Sequence, residues 1–190
     1  FSILDKEETL KKINKVKSNF PDDWKLPNIY LLHGDLSNEE INLLYNHPKI
    51  KAMVSFTHGE GFGRPLLEAT MTALPVIASN WSGQVDFLDG DKSMLLPGEL
   101  QQVPKSAVWK DIIIPESNWF TVDENVAYRV LTYAFQNKYE IKNKARSLAD
   151  KNKKEFSLEK MGEELGKILE KYISKSDGPT SLKLPKLKKK

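Results

Sequence analysis

Apolar residues along this chain come in short continuous runs that alternate with helical spacings. Leu10, Ile13 and Val16 recur at helical intervals between Lys and Glu, predicting a helix over 5–16. A stretch punctuated by Pro21 and Pro27 leads into the apolar run Asn28 to Leu32, which ends at His33-Gly34 and reads as a buried strand. Ser37 and Glu40 make the Ser-x-x-Glu pattern of a capping box, opening a short helix with Ile41, Leu44 and Tyr45 on its apolar face. His47-Pro48 closes it. Ala52 to Thr57 is the next strand, Pro65 to Ala73 a helix and Pro75 to Ser79 a strand. A loop Asn80 to Gly83 and a short helix Gln84 to Leu88 follow. Pattern fades between Lys92 and Asn118, where Met94-Leu95-Leu96 and Ile112-Ile113-Ile114 are short strand candidates. Trp109 and Trp119 suggest that this long connection packs down onto the body. Three amphipathic helices end the chain: Asp123 caps one to about Asn137, a second runs from Ile141 to Lys154, and Ser157 opens a third through Tyr172. Continuous apolar strands alternating with helices indicate an α/β fold, a Rossmann-like parallel sheet with helices on both faces. Ligands gather at the carboxyl ends of the strands of such a sheet.

One such end carries the densest chemistry. Thr57-His58-Gly59-Glu60-Gly61-Phe62-Gly63-Arg64-Pro65-Leu66-Leu67-Glu68 is a strand-to-helix turn. Gly59, Gly61 and Gly63 allow close backbone approach or positive φ, and Pro65 suits the first helical position. The amides of Leu66 and Leu67 are then expected to be free for an anion, with the carboxylates of Glu60 and Glu68 on either side as acceptors for sugar hydroxyls. The plain alternative is a helix cap with two surface glutamates.

The spacing Glu60 to Glu68 with Gly-Phe-Gly and Pro inside it, followed by Leu74-Pro75-Val76-Ile77-Ala78-Ser79, resembles the donor-site signature of retaining GT-B glycosyltransferases of the group 1 family, also called family 4. The resemblance runs upstream through Asn28 to Gly34 and downstream through Ser82 to Leu88. It implies the C-terminal, nucleotide-sugar-binding half of a GT-B fold over residues 1–174, while the Lys-rich, Pro-containing composition of 175–190 predicts a disordered tail. The implied partners are a UDP- or GDP-sugar donor and an acceptor the sequence does not disclose.

By the same resemblance Glu60 contacts the transferred sugar and orients it, beside the amides of Phe62 and Gly63, and transfer is front-face with the leaving phosphate taking the acceptor proton. Glu68 would accept from the ribose hydroxyls, and backbone at Tyr30 and Leu31 would meet the base edge. Arg64 stands where the family usually has an aliphatic residue, either to touch phosphate or simply to be solvated. The chain opens at Phe1, past the two strands and the Arg and Lys clamp with which the family's domain begins, and past the acceptor-binding domain. It therefore reads as a fragment, inactive alone, whose partner would be the missing N-terminal domain. Losing two strands leaves the third (Asn28 to Leu32) and fourth (Ala52 to Thr57) to close up into a sheet of about four strands, or to self-associate through open edges.

Charge alters this picture little. The formal charge is +3, but residues 175–190 hold six lysines and one aspartate, so the remainder carries a net −2 and nucleic acid is not the expected partner. No apolar run suggests a membrane span. The absence of cysteine fits a reducing compartment and points towards the cytoplasm. His33, His47 and His58 lack metal-ligand spacing, and no Gly-x-Gly-x-x-Gly or Gly-Lys-Ser/Thr loop occurs, so no metal or cofactor is expected. Two other functions compete: an interaction module whose basic tail holds a polyanion, and a sugar-nucleotide epimerase, which shares the architecture but generally lacks this turn.

Overall fold

Local caps set the helix starts. In a computed structural model, which describes residues 2–173, the described residues fall into two compact units that divide between His47 and Pro48. In the first unit, α1 (Ile3–Lys17) begins at Ser2, whose hydroxyl accepts from the Asp5 amide while the Asp5 carboxylate accepts from the Ser2 amide. The predicted box at Ser37 opens α2 (Asn38–Tyr45): Glu40 N–H donates to Ser37 Oγ at 3.2 Å and Ser37 N–H to Glu40 Oε2 at 2.8 Å. Each box satisfies amide donors that a helix start otherwise leaves open.

The strand expected over 28–32 does not form. These residues have no regular structure, and Ile29, Tyr30 and Leu32 are exposed, Tyr30 by 84%. A strand exists only through a hydrogen-bonded neighbour, and the described residues of the first unit contain no other strand to supply one. The tail expected from 175 lies outside the described residues. Among those described, no helix is long and apolar enough to cross a membrane.

The second unit carries the α/β fold. Strands β1 (Met53–Ser55), β2 (Val76–Ser79) and β3 (Met94–Leu96) form a parallel sheet in the order β1-β2-β3, flanked by helices. Among the described residues it has three strands rather than about four, and β1 is laddered only to β2. Central β2 is buried at every position. Ile77 joins Leu96, Ala127, Ala134 and Ile141 in one cluster, while Val76 and Ala78 alternate to the opposite face. α3 (Arg64–Met71) links β1 to β2. Of the last three helices, α4 (Glu124–Gln136) and α6 (Leu158–Tyr172) have their predicted caps at Asp123 and Ser157, while α5 (Lys138–Glu155) starts without a side-chain cap.

α5 is pinned to α3 by a buried polar contact. Asn152 Nδ2 donates to Thr70 Oγ1 at 2.8 Å and to the Phe87 carbonyl at 3.2 Å, and Thr70 Oγ1 donates in turn to the Leu67 carbonyl. Asn152 is fully buried. Its replacement by Ala leaves two buried acceptors without their donor, so Asn152→Ala is expected to lower unfolding free energy by about 1–3 kcal/mol. A urea midpoint equal to that of the parent protein would refute this.

The connection after β3 is an antiparallel hairpin of β4 (Gly98–Gln102) and β5 (Asn118–Val122), paired from Gly98↔Val122 to Gln102↔Asn118. The strand predicted at Ile112–Ile114 is replaced by a single bridge between Trp109 and Ile113, with Ile112 and Ile114 exposed. A run of three Ile is apolar enough for a strand, but here it lies in a turn with no ladder partner beyond that bridge. Trp109 is also 64% exposed, contrary to expectation. The hairpin packs down through its other end, at Trp119 and Phe120.

Candidate functional site

The turn between β1 and α3 stands at the carboxyl end of β1, where the sequence placed it. Of its three glycines only Gly63 has a positive φ, 85° with ψ 44°, and it serves as the N-cap of α3. That left-handed conformation strains any residue with a Cβ. Helix α3 starts at Arg64, so Pro65 is its second residue rather than its first.

The amides of Leu66 and Leu67 are not free. Both donate to the Gly63 carbonyl, at 2.9 and 3.2 Å, and both residues are buried. The reason is the N-cap conformation, in which Gly63 already supplies the carbonyl that closes the first helical turn. Among the described residues, the donors left without a protein acceptor are the amides of Phe62 and Gly63, just before the helix, and of Arg64, its first residue. The positive end of α3 thus shifts its anion-facing groups upstream of the predicted positions.

Glu60 is half-buried, and its carboxylate forms no ion pair among the described residues. Its carbonyl is gripped by the 3-10 turn Ser82–Asp86, accepting from Gly83 N–H at 3.0 Å and from Ser82 Oγ at 2.7 Å. The two backbones come so close at Gly83 that a Cβ there would stand 2.3 Å from the Gly61 carbonyl oxygen. Behind this contact, buried Gln84 donates from Nε2 to Ser79 Oγ (2.8 Å) and to the Ser79 carbonyl (3.1 Å). Ser79 Oγ donates to the Thr57 carbonyl (2.9 Å). The ends of β1 and β2 and the 3-10 turn are therefore tied into one rigid frame beneath Glu60.

The remaining candidates have definite places. Phe62 keeps its backbone on the turn while its ring tilts against Phe87 (5.3 Å) and Phe156 (6.2 Å), anchoring the turn to the end of α5. Glu68, one turn into α3, pairs with Arg64 at 3.2 Å, and Arg64 is well exposed. Tyr30 and Leu31 lie in the irregular stretch of the first unit, so the site described here is built from the second unit alone.

Sequence reasoning did not single out Gly83, Ser82, His58 or Trp119 as site residues. His58 Nδ1 lies 2.7 Å from the Phe120 carbonyl, and its ring stacks on Trp119 at 3.9 Å and 3°. Trp81 stacks on Phe120 at 5.5 Å and 2°. The one signal available was the small pair Ser82-Gly83, separated from the end of a buried strand by two residues.

Residues 22–101 match the model of the family described as "Glycosyl transferases group 1". The match takes in the whole turn, both glutamates and the 3-10 turn that grips Glu60. It supports the family resemblance and a glycosyltransferase-type function, which implies a sugar donor and an acceptor. Searches of curated proteins and of solved structures gave no match.

Proposed function

We propose that the second unit is the donor-binding part of a glycosyltransferase that moves a sugar from a nucleoside-diphosphate sugar to an acceptor with retention. The observation that carries this reading is the turn at the end of β1. A half-buried carboxylate at Glu60 with no ion pair among the described residues, open amides at Phe62, Gly63 and Arg64, and Glu68 one helical turn further in all meet at the carboxyl end of a parallel strand. The diphosphate docks at the open amides, where the α3 dipole adds to their hydrogen bonds. Glu60 orients the transferred sugar. As the sugar–phosphate bond breaks, the departing phosphate oxygen takes the acceptor's hydroxyl proton and the new bond forms on the same face, so no protein nucleophile is required. Orientation within a rigid frame is the chain's contribution.

Glu68 binds the ribose hydroxyls. Its present partner, Arg64, makes an exposed i,i+4 pair, a contact worth less than about 1 kcal/mol, and ribose can compete with it. Titration with UDP and GDP tests the reading, with DNA at two salt concentrations as the contrast. Nucleoside diphosphate is expected to bind, and Glu68→Ala to weaken it by about 1–3 kcal/mol through loss of a charged hydrogen-bond partner. A mutant that titrates like the parent removes the ribose role. Binding of DNA alone, collapsing as salt rises, would identify a polyanion module instead.

A further inference from the structure

The turn that holds Glu60 has a weakness that its own residues do not cure. Gly59 and Gly61 flank the glutamate, neither has positive φ, and a Cβ at Gly61 would meet nothing within 4 Å. Two glycines that neither conformation nor crowding demands leave the turn with more freedom to lose on ordering than other residues would. Something outside must hold it.

The hairpin of β4 and β5 makes contacts of the kind required. It leaves the sheet at the carboxyl end of β3, and its base is closed by Asp123 N–H donating to the Pro97 carbonyl at 3.0 Å. Strand β5 then meets the turn at His58. Phe120 N–H donates to the His58 carbonyl at 3.3 Å, and His58 Nδ1 bonds back to the Phe120 carbonyl at 2.7 Å. A carbonyl only accepts, so Nδ1 carries the proton in this contact. The near-parallel stack of His58 on Trp119 adds a second contact at the same residue. On its other side the hairpin stacks Phe120 on Trp81, the residue just before Ser82 and Gly83, which hold the Glu60 carbonyl. The hairpin therefore touches both arms of the grip on Glu60, two residues upstream of it and across from it.

We propose that the β4–β5 hairpin is a brace that orients Glu60, with His58 and Trp119 as its positioning residues. As a brace for sugar binding it rests on the donor-site reading above. It does so through backbone order, which can be measured without ligand. The Gly83 amide, bonded to the Glu60 carbonyl, reports the grip, and the amides of Ile77 and Ala78 in β2 report the fold.

In the whole chain, Trp119→Ala is expected to speed hydrogen exchange at the Gly83 amide at least tenfold while Ile77 and Ala78 exchange as in the parent. Trp119→Phe, which keeps a stacking ring, should restore Gly83 to near the parent rate. Unchanged exchange at Gly83 in Trp119→Ala overturns the brace. Should Trp119→Ala lose protection at Ile77 and Ala78 as well, His58→Phe, which keeps the stack and removes the Nδ1 bond, is judged by the same readings.

Parallel titrations compare UDP-glucose with UDP and GDP-mannose with GDP. The preference of the parent for the sugar-bearing member of a pair should fall about tenfold in Trp119→Ala, with affinity for the bare diphosphate unchanged. Loss of bare-diphosphate affinity with the sugar preference intact overturns the orienting role. A parent that binds none of the four overturns the donor-site reading, and the exchange measurement still decides the brace.

Discussion

Gly83→Ala is expected to destabilise the protein by about 3 kcal/mol, at the upper end of the usual cost of forcing an extra methyl into a packed site. The obstruction is entirely backbone. The new Cβ would lie 2.3 Å from the Gly61 carbonyl oxygen, 2.7 Å from the Gly61 carbonyl carbon and 2.8 Å from Phe62 Cα, none of which can swing aside as a side chain could. Relief requires the turn and the 3-10 turn to separate, which also breaks the bond from Gly83 N–H to the Glu60 carbonyl. For a protein of this length the melting temperature should fall by roughly 6–12 °C. Gly61→Ala is the matching control, since its Cβ enters open space and its φ is not positive. Its effect should stay within about 0.5 kcal/mol. Equal melting temperatures for Gly83→Ala and the parent would mean that the close approach is not needed.

Glu60→Gln should separate binding from chemistry. In a transfer-competent form, sugar transfer is expected to fall by about 10²–10³, the loss seen when one preorganised electrostatic group is removed from a reacting centre. Affinity for the bare nucleoside diphosphate should hardly change. The carboxylate is poised for this role because its backbone is held at the carbonyl by Gly83 and Ser82 while its side chain has no ion-pair partner among the described residues. A group that meets only the transferred sugar touches the part of the donor that the bare nucleotide lacks. Parallel measurement of transfer rate and nucleotide affinity checks the split, and equal losses in both would reassign Glu60 to the nucleotide.

Helix starts were legible in the sequence because a cap is a contact between residues three apart. Ser37 with Glu40, Asp123 with Val126 and Ser157 with Lys160 all form as read. So were the strands at 53–55, 76–79 and 94–96, of which 76–79 is buried throughout, and the position of the glycine turn at the end of the first of them, since continuous apolar runs with short polar breaks suit a sheet covered by helices. That was enough to indicate an α/β fold and a candidate site at Glu60 and Glu68.

What the sequence could not decide was everything that depends on a partner distant in the chain. Asn28 to Leu32 and Ile112 to Ile114 are as apolar as the strands that formed, yet neither found a ladder, because strand identity belongs to the pair and not to the segment. Gly98 to Gln102 has little apolar pattern and became a strand because Asn118 to Val122 lay beside it. The free amides moved upstream from Leu66 and Leu67 once Gly63 adopted its left-handed cap. The grip of Gly83 on Glu60 and the stack of Trp119 on His58 join residues far apart in sequence. A cap is settled by i to i+3 chemistry that any short peptide carries, whereas ladders, close backbone approaches and ring stacks come into being only when tertiary packing brings their two halves together.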